Sequence, residues 1–256
     1  MERLTTQQRQ QFDDEGYVVV DNLLSPTEVD VLRHALAELE DSNRQDECFD
    51  WQGGHIVTIH GLPLLQGALS RLAQYRPVVD LISELMGRSI QLTGAILLDK
   101  HPQHNWDIGW HQDNGIYVDH IPDGAPEDIR GGIPVYSTLA MEMAQNVSCR
   151  ISLDEAGFDT GGLYVLPRSH LENYGGNDKI EERFGDHVGV LAHQEPGSAL
   201  CYRPLLLHRA NKMTATGRRR ILHLQYGPDD LKLPGTDTYP WPQGRPLTAL
   251  ESLLAE

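Results

Sequence analysis

The chain has 256 residues, of which 39% are hydrophobic and 23% charged, a composition typical of a folded globular protein. Its formal net charge of −16 disfavours binding to the phosphate backbone of a nucleic acid as the main activity. No run approaches the roughly 18 consecutive apolar residues of a membrane span, the N-terminus has no apolar export segment, and the three cysteines form no CxxC pair, so we expect a reduced cytoplasmic protein.

The first part of the chain, about residues 1–87, is predicted to be mainly helical. Thr5–Gln8 and Ser25–Glu28 both have the pattern of a capping residue at a helix start, and the second is a capping box with proline at the first helical position. Between these helices, the β-branched segment Tyr17–Val20 indicates a strand. A further helix is predicted over Pro77–Met86, ended by a glycine.

From about residue 88 to 227 short apolar runs alternate with turn residues, a spacing that favours a barrel, sandwich or jelly roll. The predicted strands are Ile90–Leu98, Val147–Leu153, Gly162–Leu166, Val188–Leu191, Ala199–Leu207 and Arg220–Tyr226. Residues 114–145 form a long segment rich in turn residues, typical of a lid or a binding loop. The remaining residues, 228–256, are a polar tail, and we expect one domain over residues 1–256.

A histidine and an aspartate lie two residues apart at His111 and Asp113. Positions i and i+2 of a strand point to the same face, so both side chains can reach one metal ion. The spacing alone is not specific, because about two such pairs are expected by chance in this composition. Two further pairs are present, His170 with Glu172 and His193 with Glu195.

The residues downstream favour His111 and Asp113 as the pair that binds a metal. His208 ends the apolar run Leu205–Leu207, and the basic cluster Arg218–Arg220 opens the next predicted strand. Two histidines and one carboxylate are the ligand set of non-haem Fe(II) oxygenases, which leaves coordination positions open. An arginine on a neighbouring strand suits a dicarboxylate co-substrate that chelates the metal with one end and pairs with a guanidinium at the other.

Together these segments resemble the phytanoyl-CoA dioxygenase family of Fe(II)- and 2-oxoglutarate-dependent oxygenases. The resemblance rests on Trp110–Asp113, on the run Gly-Gly-Leu-x-Val-Leu-Pro-x-Ser-His that ends at His170, and on His208 with its trailing arginine. The opening Phe12-x-x-x-Gly-Tyr-Val-Val is also similar, so the likeness extends from about residue 10 to about residue 226.

The resemblance implies a mainly β fold with flanking helices, a double-stranded β-helix of the cupin-like jelly-roll type. It implies that His111, Asp113 and His208 bind Fe(II) and that Arg219, eleven residues after the second histidine, binds 2-oxoglutarate. It further implies that O₂ is consumed, with succinate and CO₂ as co-products and hydroxylation as the usual outcome. Desaturation, epoxidation, ring closure and epimerisation stay open.

One family feature is missing. Family members often carry a serine two residues after the second histidine, where it shares the 2-oxoglutarate carboxylate, and this chain has Ala210 there. The alternatives for that hydroxyl are Thr214, Tyr202 and Tyr226.

For the substrate, a small-molecule metabolite or natural-product intermediate, the predicted contacts are Tyr117, Tyr136, Trp51 and His104. Arg150 and Asp154 are expected to pair with each other. Two other functions remain as alternatives: a cupin-like metal-dependent oxygenase or isomerase that does not use 2-oxoglutarate, and a jelly roll that binds a small ligand without catalysis. The oligomeric state stays open between monomer and homodimer.

Overall fold

The computed structural model describes residues 4–121, 123, 128–137, 140–175, 177–231, 233 and 248–254. Most of the predicted tail, 228–256, lies outside the described residues. Within the described part of the chain, no helix is both long enough and apolar enough to cross a membrane.

Antiparallel strands dominate the architecture. They are β1 (Tyr17–Val20), β2 (Phe49–Gln52), β3 (His55–His60), β4 (Ile90–Lys100), β5 (Ile108–His111), β6 (Gly115–Tyr117), β7 (Ile129–Arg130), β8 (Ile133–Ser137), β9 (Val147–Ser152), β10 (Leu163–Val165), β11 (Val190–Leu191), β12 (Ala199–Tyr202), β13 (His208–Ala210) and β14 (Arg219–Pro228). The helices are α1 (Thr6–Glu15), α2 (Pro26–Ser42), α3 (Ala68–Arg71), α4 (Arg76–Met86), α5 (Ala140–Met143) and α6 (Asn177–Phe184).

The strands of the described residues form three sheets. A seven-stranded sheet has the order β1-β12-β9-β14-β4-β3-β2, a four-stranded sheet the order β11-β10-β13-β5, and a three-stranded sheet the order β6-β8-β7. Apolar residues of the two larger sheets pack together in one cluster that includes Leu200, Tyr202, Leu163 and Val165. The mainly β fold with flanking helices, a double-stranded β-helix, is therefore confirmed.

Local sequence signals explain the helices. The Ser25 side chain accepts a hydrogen bond from the Glu28 backbone and Glu28 reaches back to Ser25, which closes the predicted capping box of α2. The helix α4 ends at Gly87 in the left-handed conformation, which glycine adopts without steric strain. Both helices cover the outer face of the seven-stranded sheet, where their apolar side chains share a core cluster with Leu222 and Leu224.

The inner face of the same sheet faces the four-stranded sheet and is much more polar. Arg219 opposes Lys100 on β4, and His223 opposes Arg150 on β9. Directly opposed residues of an antiparallel pair share a face, and side chains alternate along a strand. Arg219 and His223 therefore point to the same side as their two partners.

Two parts of the sequence prediction were wrong. The predicted helical region also contains the hairpin β2–β3, which completes the edge of the large sheet. The predicted strand Ala199–Leu207 ends at Tyr202, and His208 begins a new strand rather than ending one. The reason is a crossing between sheets: β12 belongs to the large sheet and β13 to the four-stranded sheet.

Candidate metal centre and co-substrate pocket

Two neighbouring strands bring the predicted metal ligands together. His111 is the last residue of β5 and pairs directly with His208, the first residue of β13. Their ring centroids are 4.1 Å apart, and Asp113 Oδ1 lies 3.5 Å from His208 Nε2. One ligand atom from each of the three side chains lies within 4.8 Å of the others, a spacing that one metal ion can bridge.

Backbone carbonyls orient both imidazole rings. His111 Nδ1 lies 2.9 Å from the carbonyl oxygen of Gly109, and His208 Nδ1 lies 2.8 Å from that of Leu206. A carbonyl oxygen only accepts, so each Nδ1 carries the proton and each Nε2 keeps its lone pair for a metal. Burial, together with His208, lowers the pKa of His111 to about 4, which keeps this ring neutral as a ligand must be.

The second oxygen of Asp113 is also held. Tyr202 donates to Asp113 Oδ2 at 3.0 Å, and the Ser148 hydroxyl lies 3.5 Å from the same oxygen. Burial alone would raise the pKa of Asp113, but His208 and the other imidazoles outweigh it and hold the pKa well below its usual range. Asp113 is therefore an ionised, oriented carboxylate. With two imidazole nitrogens on the same side, this donor set fits Fe(II) and leaves open coordination positions.

Three buried cations face the interior beside this centre. Arg219 and Lys100 are 2% and 0% exposed, and Arg150 is 6% exposed. Within the described residues none of them forms an ion pair with a carboxylate; Lys100 Nζ donates to the carbonyl of Asn211 at 2.6 Å. Burial, with the neighbouring cations, lowers the pKa of Lys100 to about 7 and that of Arg219 to about 9.

The neighbours of Arg219 in sequence point the other way. Arg218 donates to Glu40 and Asp99, and Arg220 forms a two-point contact with Asp154. The predicted pairing of Arg150 with Asp154 was therefore wrong. Arg150 lies within β9 and opposes His223 on the inner face, whereas Asp154 lies in the turn after the strand, where alternation no longer applies, and contacts Arg220.

A cavity of about 270 Å³ opens over the metal ligands. Of the predicted substrate contacts, Tyr117 is among its lining residues. The other three lie elsewhere. Tyr136 packs with the apolar cluster around Ile116 on the other face of the β6–β8 hairpin, Trp51 Nε1 donates to the Arg44 carbonyl, and the His104 ring lies 4.8 Å from that of Trp106.

None of the three hydroxyl alternatives is free of other contacts. Thr214 contacts Asp159 at 3.0 Å, Tyr226 donates to the carbonyl of Ala73 at 2.9 Å, and Tyr202 donates to Asp113. The residue that directly opposes Arg219 across the β14–β4 pair is Lys100.

The sequence reasoning missed several residues of this pocket. His223 and Gln225 of β14 line the cavity, and His223 Nε2 is buried without a hydrogen-bond partner among the residues that the structure describes. Burial lowers the pKa of His223 to about 3, against the opposing effect of Asp113, so the ring is neutral. Strand alternation places Arg219, His223 and Gln225 on the same face of β14. The sequence therefore contained a signal that could have identified His223 and Gln225 as pocket residues. The other two His-x-acid pairs lie elsewhere, His193 bonding Glu195 at 3.1 Å on the surface.

Comparisons with known proteins find relatives of similar sequence and similar fold. An L-proline trans-4-hydroxylase of Streptomyces griseoviridis is 22% identical over 242 residues, which cover 84% of this chain and 83% of the hydroxylase. Apo EctD from S. alaskensis has a similar structure, with a TM-score of 0.72 at 20% identity over 97% of this chain and 88% of EctD. HygX from Streptomyces hygroscopicus, with nickel and 2-oxoglutarate bound, has a TM-score of 0.66 at 17% identity over 91% and 90% of the two chains.

The phytanoyl-CoA dioxygenase family profile matches residues 12–221, a span that contains His111, Asp113, His208 and Arg219. The chain therefore belongs to the phytanoyl-CoA dioxygenase family of non-haem iron, 2-oxoglutarate-dependent oxygenases.

Proposed function

We propose that the protein hydroxylates a small molecule, using Fe(II) held by His111, Asp113 and His208 and 2-oxoglutarate held by Arg219. The observation that carries this proposal is the buried Arg219 guanidinium, which has no carboxylate partner among the described residues and shares the inner sheet face with the pocket of the three ligands. Burying a cation without a counterion is unfavourable. The carboxylate of a bound ligand supplies that counterion.

When bound, the iron and 2-oxoglutarate supply the oxidising chemistry, in which 2-oxoglutarate and O₂ yield succinate and CO₂ and one oxygen atom enters a C–H bond of the substrate. The residues of the chain position the co-substrate and the metal ligands and shield them from solvent. Arg219 pairs with the far carboxylate of the co-substrate, and Lys100 and Arg150 add positive charge beside it. Tyr202 and Ser148 contact Asp113 Oδ2, which leaves Oδ1 as the oxygen that would bind the metal.

The size of the cavity supports a small substrate. About 270 Å³ is at or below the usual range for a drug-sized ligand, and its wall combines Tyr117, His223 and Gln225 with the apolar Ile96 and Ile108. Hydroxylation is the outcome we propose, because the curated relative with 84% coverage of this chain is a hydroxylase of a small amino acid.

The test is an anaerobic titration of the purified apoprotein with Fe(II) and then 2-oxoglutarate. We expect the visible charge-transfer band of chelated 2-oxoglutarate in the wild-type protein. Asp113→Ala should remove the band because it weakens metal binding. Arg219→Ala should shift the titration to a much higher 2-oxoglutarate concentration. Arg220→Ala is the matched control, because the same side-chain type one position away lies on the opposite face.

The alternatives predict other results. A cupin-like enzyme that does not use 2-oxoglutarate would bind iron without forming the band, and its substrate turnover would not respond to Arg219→Ala. Stoichiometric iron with no band in the wild-type protein would therefore reject our proposal.

A further inference from the structure

Three polar side chains connect the cavity with the surface. Tyr117 Oη lies 2.8 Å from His60 Nδ1, and on the other side of this ring His60 Nε2 lies 3.6 Å from Asp50 Oδ2. Tyr117 is 8% exposed and lines the cavity, whereas the Asp50 side chain is 58% exposed. We call Tyr117, His60 and Asp50 the tyrosine triad.

The direction of the two contacts follows from the chemistry of the groups. Burial lowers the pKa of His60, and Arg130 adds to this effect against Asp50, so the ring is neutral and carries one N–H. An Nε2 lone pair would face the negative Asp50 Oδ2 at 3.6 Å, which is unfavourable, so we place the N–H on Nε2. His60 Nδ1 is then an acceptor, and the Tyr117 hydroxyl is its donor. The phenolic proton is committed to His60, and the free lone pairs of Oη are the polar feature that Tyr117 offers to a ligand.

The fold makes room for the triad at two glycines. A Cβ at Gly94 of β4 would lie 3.1 Å from Tyr117 Cδ2, tighter than ordinary contact. Gly131, in the turn between β7 and β8, has φ of +56°, and a Cβ there would lie 2.6 Å from His60 Cβ. The rings of Tyr117 and His60 are thus packed closely between β4 and the β7–β8 turn, which limits the positions that Oη can take.

A second group in the cavity has the opposite character. Gln225 Oε1 accepts a hydrogen bond from the Thr93 hydroxyl at 3.1 Å, so the acceptor end of this amide is used within the protein. Its NH₂ group is left as the donor that Gln225 offers to the cavity. The cavity wall therefore contains an oriented acceptor at Tyr117 and an oriented donor at Gln225, both beside the metal ligands.

We infer that Tyr117 is a specificity-determining residue that accepts a hydrogen bond from an O–H or N–H group of the primary substrate. The inference deepens the proposed function, on which it rests, by naming the substrate class: small alcohols or amines that keep at least one donor hydrogen. Compounds in which that donor is methylated leave the lone pairs of Tyr117 Oη without a donor and are rejected, because a site built for a hydrogen bond disfavours a ligand that lacks it.

The first measurement addresses the proton arrangement. Long-range ¹H–¹⁵N NMR spectra of histidine-labelled, zinc-loaded protein report the tautomer of each ring, and His60→Gln assigns the signal. We expect His60 protonated on Nε2 alone. A ring protonated on Nδ1 would make Tyr117 a donor to the cavity and overturn the inference.

The second measurement addresses selectivity. Succinate formation is measured with the iron-loaded enzyme and a panel of small alcohols and amines, each compared with its methyl ether or its quaternary ammonium counterpart. We expect donor-bearing compounds to stimulate succinate formation. The methylated partners should stimulate it at least about tenfold less. Tyr117→Phe should bring the members of a pair within about twofold of each other. Tyr136→Phe, on the opposite face of the same hairpin, should keep the full discrimination.

A further variant separates recognition from mere packing. His60→Leu removes the acceptor for the phenolic proton, which frees the Tyr117 hydroxyl to donate, so preference should shift toward the ethers. Equal stimulation by both members of each pair in the wild-type enzyme, no stimulation by any donor-bearing compound, or unchanged discrimination in Tyr117→Phe would each overturn the inference. The charge-transfer band of the wild-type protein distinguishes failure of the proposed function from failure of this inference. Absence of the band rejects the proposed function, and a band without donor selectivity rejects only the role of Tyr117.

Discussion

The two faces of the seven-stranded sheet differ in whether their arginine side chains are paired with carboxylates. On the outer side Arg218 and Arg220 are paired with carboxylates through several hydrogen bonds. On the inner side Arg219, which lies between them in sequence, is 2% exposed, and its Nε has no hydrogen-bond partner in the part of the chain that the structure describes. Lys100, the residue that opposes Arg219, is also fully buried.

This difference shows which face is built for stability and which for a ligand. Paired charges on the outer face connect strands and loops, and removing one partner leaves the other unsatisfied. Unpaired cations on the inner face lower the stability of the ligand-free protein, a pattern expected where a fold gives up stability for function. The comparison therefore makes opposite predictions for substitutions that are neighbours in sequence.

Breaking an outer pair should give the largest loss of stability. Asp154 accepts hydrogen bonds from the backbone and the guanidinium of Arg220, and although burial alone would raise its pKa, Arg220 lowers it overall. Asp154→Ala should lower the free energy of unfolding by about 3–5 kcal/mol in urea denaturation. Asp30→Ala is the control, because Asp30 is 72% exposed in its contact with Arg33 and should change stability by less than about 0.5 kcal/mol.

Removing the inner cation should have the opposite sign. Arg219→Met keeps a long apolar side chain in the buried position and removes the unpaired charge, so the free energy of unfolding of the apoprotein should rise by about 1–4 kcal/mol. The same variant should lose most of its 2-oxoglutarate affinity. Arg220→Met should show the reverse pattern, less stable with normal 2-oxoglutarate affinity. A destabilised Arg219→Met apoprotein would contradict the comparison.

The inner face should also produce a pH dependence. Burial, with Arg219 and Arg150, lowers the pKa of Lys100 to about 7, whereas in the unfolded chain it is about 10.4. Between these values the unfolded state binds the proton and the folded state does not, so the contribution of Lys100 makes stability rise with pH, by at most about 1.4 kcal/mol per pH unit.

The check is urea denaturation of the apoprotein between pH 7 and 10 for wild type and Lys100→Met. The slope of stability against pH should be smaller in Lys100→Met than in wild type. Lys212→Met, which removes a 60% exposed lysine, should keep the wild-type slope. Identical slopes for all three proteins would show that Lys100 stays protonated in the folded state.

The parts of the fold that the sequence predicts best are those set by neighbours along the chain. The α2 helix was predicted from Ser25 and Glu28, which are three residues apart, and β1 from four consecutive residues. The hairpin β2–β3 was missed, although Gly53 and Gly54 occupy its turn, because β2 has only four residues and the sequence of β3, His55–His60, does not alternate strictly. The strand that begins at His208 could not be separated from the preceding apolar run by local pattern alone.

The candidate site shows the same division. His111 and Asp113 are two residues apart, and the parity rule selects Arg219, so local spacing is informative for them. Lys100 joins this group only through the pairing of β4 with β14, which connects residues 119 positions apart. His60 meets Tyr117 across 57 residues. Such contacts depend on strand order and register, and a single sequence contains no local signal for either.

Two tyrosines allow the finest test of the comparison. Tyr202, on the inner face, donates to Asp113 Oδ2 at 3.0 Å, and Tyr226, on the outer face, donates to the Ala73 carbonyl at 2.9 Å. Tyr202→Phe should weaken Fe(II) binding about tenfold, because a partner that orients a metal ligand is lost. Tyr226→Phe should leave Fe(II) affinity unchanged and lower the free energy of unfolding by about 1 kcal/mol.

Anaerobic competition with a chromogenic chelator gives the Fe(II) affinities, and urea denaturation of the same samples gives the stabilities. Both variants remove one buried hydroxyl and change the volume of the core equally, so packing alone would affect the two proteins alike. If Tyr226→Phe lost as much metal affinity as Tyr202→Phe, the effect would come from general loosening of the sheet. A loss confined to Tyr202→Phe assigns it to the inner-face hydrogen bond that holds Asp113.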